Sequence, residues 1–539
     1  MKPPLLAIAL DAADPELIHS WTGQGLLPNL KRIIDQGSFF SLANHPLYRN
    51  ENPWVSLLTG CSPEKTGYWT PLRFTSAGYR VRDSGAYSFQ PCKPFYAMVP
   101  GRTVTVFDLP HCGRLFAEAD GVQVLGWGAH SPMGRGQSRP AALFNQLSRR
   151  FGAHPAWRTQ NRGSWWDSGR LQRLRSALLE GIQRRSRINL ALLAEHPADL
   201  TLLAFSEIHI AGHHFWHLND PNHPAFGRNQ PPLADFLLEI YRATDHALGE
   251  LLERRPANAN LLVFSPEGGA PNWCDLNSLV FLPELLFRWN FPGRSLLASG
   301  SMDDELPAVI TRPHRNDWLE TVWSNYYDCL PPNWLPRLFR EIFQKAAAMP
   351  GCNFPFYVLR RLGELQWQPP VWYQPWWPRM KAFALPSYGD GYIRINLKGR
   401  EPQGIVDPSE YDGVCRELCA WLSQLRDPRS GRPVVDQIVR TRENPHNSAP
   451  DRRPDADLVV LWQRQANDMI EEKTLGRLGP VPFWKSGSHR STGFVIGQGP
   501  DIPRRTTPGA AQVIDLAPTI LKLLDMAQPG ALDGKPIFT

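Results

Sequence analysis

A chain of 539 residues, 42% of them hydrophobic, has room for about three structural units at ~150 residues each and apolar material for sizeable cores. Its 58 basic against 51 acidic side chains give a net charge of +7 with no long basic block, which excludes a nucleic-acid-binding tail. No apolar run reaches the ~18 residues of a membrane span, and the eight cysteines form no CxxC pair, which predicts reduced, buried thiols in a cytoplasmic protein.

In chain order, residues 5–10 read as a short buried strand that ends at Asp11, so this opening is a strand rather than a signal peptide. Asp14-Pro15-Glu16 then starts a helix, with Asp as N-cap and Pro at the first position, running to about residue 37. Strands are predicted at 103–107 and 122–126. A long amphipathic helix at 176–195 precedes a strand at 199–205, and a helix at 233–254 precedes one at 260–264. This alternation predicts an α/β fold with a mostly parallel central sheet flanked by helices. Ligands of such sheets bind beyond the carboxyl ends of the strands. Asp11, the histidines after 205 and the loop 265–272 all fall there.

Residues 273–377 are rich in Trp, Pro and Arg and read as an insertion that caps the sheet edge, with helices near 334–349 and 354–365. The aromatic stretch 367–378 reads as a Pro-ordered packing segment rather than a ligand-stacking wall. A strand pair at 383–406, a helix at 410–425, a strand at 457–462 and a last helix at 513–524 follow. The division is a core first part at 1–272, a capping insertion at 273–380, and a core second part at 381–539.

Four of the 15 histidines fall within nine positions, at 209, 213, 214 and 217. His209 and His213, four apart, share one helical face and can share a metal ion. His214 and His217 suit packing or hydrogen bonding. Alone, the pair is equally compatible with a His-rich segment of ordinary polar roles.

The ordered segments resemble the alkaline phosphatase superfamily, in its type I phosphodiesterase/nucleotide pyrophosphatase-like branch. Ala7-Ile-Ala-Leu-Asp11 is similar to the opening strand and first metal acid. Pro53 to Gly60 with Ser62 to Gly67 resembles the nucleophile helix. His209–His213 stands at the family's D-x-x-x-H step and Phe264-Ser-Pro-Glu-Gly268 at its S-D-H-G. Gly391 to Pro402 resembles a branch-typical block, Ser486-Gly-Ser-His489 the late ligand segment, and Asp515 to Leu521 with Leu532 to Pro536 the closing helix and tail. The resemblance implies an alkaline phosphatase-like core, hydrolysis of phosphoric or sulfuric esters, divalent metal, and a small anionic substrate with neither nucleic acid nor membrane as partner.

Departures change what is implied. The first metal site becomes His209, His213 and His489. The second keeps Asp11, but Pro266 replaces an Asp and Glu267 a His. The nucleophile position falls on Asn50 or Glu51, neither with a hydroxyl; Ser56 and Thr59 should lie inside the following helix. Three neutral imidazoles with an open position suit zinc and lower the pKa of bound water to ~7. The expected mechanism is therefore attack by metal-bound hydroxide, with Glu267 or Glu51 managing its proton, and with one firm metal site. The alternative is a catalytically inactive binding or scaffold protein of the same fold. Arg490 and Asn272 are candidate substrate contacts. His130, Lys65, Arg394 and Arg400 suit structural bonds as well as a site.

Overall fold

The computed structural model describes residues 2–129, 136–157, 165–228, 235–297, 299–311, 365, 368–443 and 453–538. The helices expected at 334–349 and 354–365, and His130, lie outside the described residues, save Leu365.

Continuous apolar runs such as Leu5–Leu10 and Leu200–Phe205 cannot face water on either side, and they become the centre of a nine-stranded sheet. Leu5–Leu10 lies parallel between Leu200–Phe205 and Asn260–Ser265, with Leu5 opposite Leu200 and Asn260. Thr103–Phe107 and Asp120–Leu125 extend the parallel part on one side. On the other, Thr492–Gln498 runs antiparallel between Asn260–Ser265 and Ser38–Ala43. Alternation along the first strand sends Leu6, Ile8 and Leu10 into one helix-covered core and Leu5, Ala7 and Ala9 into the other. The sheet is thus mostly parallel and helices cover both faces. Among the described residues no helix is long and apolar enough to cross a membrane.

The expected helix from residue 15 to about 37 is two helices, Pro15–Gly23 and Pro28–Gln36. Gly25 takes a φ of +74°, and Pro28 can donate no backbone hydrogen bond to a continuing helix. Asp245 caps the second helix from outside, accepting from the Leu30 and Asn29 N–H groups at 2.7 and 3.1 Å. The long helix starts at Ser168 rather than 176, where the Asp167 carboxylate accepts from the Arg170 N–H. The predicted helix at 233–254 is described as Phe236–Arg254.

A second, four-stranded antiparallel sheet is ordered Ala382–Leu385, Gly391–Ile395, Leu458–Trp462, Val435–Arg440. Its core includes Trp273, the helix Leu282–Asn290, and Trp372, Tyr373 and Trp377 of the aromatic stretch, which form a 3-10 helix. Those rings are buried packing. After this sheet the chain re-enters the large one only at Thr492.

One buried charge network fastens two loops at the sheet's carboxyl edge. Arg185 is fully buried and pairs with Asp108 at 2.8 Å and Glu207 at 2.8 Å. His154 meets Glu207 at 3.0 Å, while the Trp127 and Gly128 N–H groups donate to Asp108 at 2.7 and 2.9 Å. Gly128 leaves the space that His154 occupies, since a Cβ there would lie 2.6 Å from the ring.

Candidate metal centre

Strand, helix and hairpin bring the sequence-predicted donors together. Asp11 ends the first strand and Ala12 takes a left-handed φ of +54°, which turns the chain sharply at the sheet edge. Helix Glu207–Asn219 presents His209 and His213 one turn apart. Gly487–Arg490 pairs antiparallel with Gly268–Pro271, setting His489 opposite Gly269 and beside Glu267. The ring centroids of His209, His213 and His489 lie 4.6–4.9 Å from one another. His209, His213 and His489 form one potential donor cluster and Asp11, His209 and Glu267 a second, each with its donor atoms within 4.8 Å.

The orientation of each ring has a cause. His213 Nδ1 meets the Gly487 carbonyl at 2.8 Å, so this nitrogen donates and Nε2 carries the lone pair. His213 Nε2 and His209 Nε2 stand 3.1 Å apart. His209 Nδ1 lies 3.0 Å from Asp11 Oδ2, off the axis of a straight hydrogen bond. The Trp54 indole donates to Asp11 Oδ1 at 2.8 Å. Burial, with His209 nearby, pushes His489 well below the ordinary histidine range, so its ring is neutral and fit to ligate. Among the described residues, buried His489 Nδ1 and Glu267 Oε2 find no hydrogen-bond partner, a costly state that a coordinated cation relieves. Three imidazole nitrogens with carboxyl oxygens nearby fit a zinc-like divalent ion.

Gly487 makes this geometry possible. A Cβ there would sit 2.0 Å from the Gly212 carbonyl oxygen, so hairpin and helix touch backbone to backbone. Gly487→Ala should push them apart, costing about 1–3 kcal/mol of stability and loosening the His213 bond. Thermal melts and chelator competition measure both; unaltered metal affinity would count against this role.

Glu267 is buried, and burial together with the Asp11 charge drives its pKa well above the carboxylate range. Its Oε1 stands 3.6 Å from His489 Nδ1. Asn50 precedes helix Pro53–Thr59, and among the described residues both polar atoms of its carboxamide find no hydrogen-bond partner. Gly389 packs on it, with a virtual Cβ 3.1 Å from the amide. Ser56 and Thr59 lie within that helix, and the Thr59 hydroxyl donates to the Val55 carbonyl.

Other expected site residues are engaged elsewhere. Arg490 neighbours His489 on a strand, so the two side chains point to opposite faces. Its guanidinium pairs with Asp14 and Glu16 and donates to the Gly269 carbonyl. The Asn272 amide donates to Asp275 and to the Lys485 carbonyl, both at 2.8 Å. Arg394 pairs with Glu401, Arg400 with Asp457 and Glu401, and Lys65 with Asp533. Glu51 accepts from the Tyr388 N–H and the Tyr392 hydroxyl at 2.9 and 2.8 Å.

Burial raises Glu51 to about 7, against the opposing hydrogen bonds from Thr70, Tyr388 and Tyr392. The unfolded chain releases this proton near 4.5 and the folded chain only near 7. Within that window the folded state holds the extra proton, so its stability falls as pH rises. Glu51→Gln removes this penalty. Its stability relative to the parent should grow from pH 4.5 to 7 by up to roughly 3 kcal/mol, read from denaturant melts at pH 5 and 8. A pH-independent difference would refute it.

Sequence reasoning missed His111. It follows the strand Thr103–Phe107, and with Asp108 it takes a left-handed φ, +56° and +59° respectively. Such strain in non-glycine residues concentrates at functional sites. Burial lowers His111 to about 4, and the charges of Asp11 and His209 reach it. Its place just beyond a parallel strand's carboxyl end was the available signal.

Phosphonoacetate hydrolase from Sinorhizobium meliloti 1021, solved with phosphonoformate, is 14% identical; the match covers 98% of this chain and 96% of that one, with a TM-score of 0.47. Murine ectonucleotide pyrophosphatase/phosphodiesterase 5, solved as an inactive variant with AMP, is 12% identical over 99% of this chain and 97% of that one, with a TM-score of 0.48. No curated protein matches the chain. Residues 5–290, more than half of the sequence, match the family described as type I phosphodiesterase / nucleotide pyrophosphatase. The chain therefore belongs to the type I phosphodiesterase / nucleotide pyrophosphatase family of the alkaline phosphatase superfamily.

Proposed function

We propose that the protein is a metal-dependent phosphodiester hydrolase in which water, rather than a protein side chain, attacks phosphorus. The observation that carries this reading is the three-imidazole cluster at the sheet's carboxyl edge; the resemblance adds that the nucleophile position falls on Asn50 or Glu51, neither of which has a hydroxyl. His209, His213 and His489 would hold the ion, and zinc suits three nitrogen ligands. When bound, such an ion supplies Lewis-acid chemistry: it polarises an ester oxygen and makes water acidic enough to ionise near neutral pH. Glu267, with one carboxyl oxygen unengaged beside His489, is positioned to exchange a proton with the attacking water. Glu51 is bound to Tyr388 and Tyr392, which leaves Glu267 the better placed of the two. The unengaged Asn50 carboxamide offers N–H donors to a non-bridging ester oxygen. Buried free thiols at Cys61, Cys112, Cys274 and Cys415 suit the reducing cytoplasm.

The test is an activity screen with phosphodiester, phosphomonoester, sulfate ester and carboxyl ester probes, after chelation and with zinc or manganese restored. Chelator-sensitive turnover of the phosphodiester is expected. Turnover of carboxyl esters alone would overturn the proposal. Asn50 and Pro266 favour one second reading, a non-catalytic binding protein; metal-free protein without turnover of any probe would decide for it.

A further inference from the structure

Asp11 directly follows the first strand, Leu5–Leu10. In the family, the resemblance makes this acid a ligand of a second metal. Here each of its oxygens faces a protein nitrogen. Oδ1 accepts the Trp54 indole N–H at 2.8 Å, and Oδ2 stands 3.0 Å from His209 Nδ1. The rest of a second site is depleted, because Pro266 offers no side-chain ligand and neither Asn50 nor Glu51, the candidates for the nucleophile position, a hydroxyl.

His209 belongs to both donor clusters; its Nε2 stands 3.1 Å from His213 Nε2 and its Nδ1 3.0 Å from Asp11 Oδ2. A neutral imidazole has one N–H and one lone pair, so it can ligate on one side only. The Asp11 carboxylate favours the N–H on Nδ1, which puts the lone pair on Nε2. The Gly487 carbonyl fixes the same choice in His213. In that tautomer the two Nε2 lone pairs, 3.1 Å apart, converge on one cation in place of the hydrogen bond the rings otherwise share. A carboxylate behind a ligating histidine fixes its tautomer and raises its basicity.

We propose that Asp11 is a positioning residue for His209 and not a metal ligand, and that the protein takes one divalent ion, on His209, His213 and His489. This rests on the metal-site reading above and adds its nuclearity and the role of Asp11. With no side-chain ligand at Pro266 and with Asp11 lying beside His209 Nδ1, what the resemblance makes a second site serves here to support the first.

The test measures zinc per chain after gel filtration, and affinity by competition with a chromophoric chelator. The parent should hold one zinc per chain. Asp11→Asn should still hold one, with affinity lower by about 10–100-fold, the range for loss of an outer partner. An Asn has a single acceptor oxygen, for which Trp54 and His209 compete. Adding Trp54→Phe to Asp11→Asn should therefore recover part of the affinity, which a merely structural defect would not. Cobalt spectra of the parent and Asp11→Asn should differ in band position at equal occupancy. Two zinc per chain in the parent, falling to one in Asp11→Asn, would overturn this inference and leave the hydrolase reading standing. Unchanged affinity in Asp11→Asn, or no recovery in the double variant, would also overturn it. No metal in the parent would sink the hydrolase reading as well.

Discussion

Arg185→Met should lose roughly 3–5 kcal/mol of stability at pH 7, because it strands buried carboxylates without a countercharge. Burial alone would raise Glu207, yet Arg185 and His154 hold it down at about 2. A carboxylate lowered in this way contributes stability that is complete above its unfolded value of 4.5 and is lost as pH falls towards 2. Methionine fills much of the space but neutralises nothing. The deficit should therefore shrink as pH drops towards 4 and the stranded carboxyls protonate. Urea melts at pH 7 and pH 4.5 read both effects, and a loss below 1 kcal/mol at pH 7 would disprove the account. Metal affinity should fall too, since Arg185 ties the loop carrying His111 to the helix carrying His209.

His213→Ala should abolish stable metal binding. It leaves two imidazoles and deprives the Gly487 carbonyl of its donor, so affinity should drop more than the 10–100-fold typical of an outer partner. His217→Ala is the control. That ring is also buried on the same helix, but it packs against Trp165 and His223, away from the cluster of three. Its loss should lower the melting temperature and spare metal content. Equal metal content in parent and His213→Ala, after gel filtration, would rule out the three-imidazole centre.

Much of the fold was legible because buried parallel strands must be apolar on both faces. Runs such as residues 5–10 and 200–205 announce themselves, and the residues at their carboxyl ends follow. The break between Pro15–Gly23 and Pro28–Gln36 was less visible, because a helical apolar pattern continues through it while only Gly25 and Pro28 interrupt. Asp11, His209, His213, Glu267 and His489 could be read as a group from their motif order. His111 could not, since a single histidine in a loop carries no spacing signal. Arg490 looked available for an anion because its partners Asp14 and Glu16 are hundreds of residues away in the chain. Long-range pairing of this kind decides which charged groups remain for a ligand, and sequence periodicity does not encode it.

The strand Thr492–Gln498 lies inside the large sheet, between a strand near residue 40 and one near residue 262. During synthesis, some 230 residues separate the completion of Asn260–Ser265 from the arrival of its neighbour. Until then the edge of Asn260–Ser265 is open, and Ser38–Ala43 has nothing to dock on. His489 arrives with the same segment. With the proposed three-imidazole centre, ion capture and closure of the sheet would be timed together, late on the ribosome or after release. Nascent chains halted before residue 487 should expose a sticky strand edge and depend on chaperones, however much metal the cell provides.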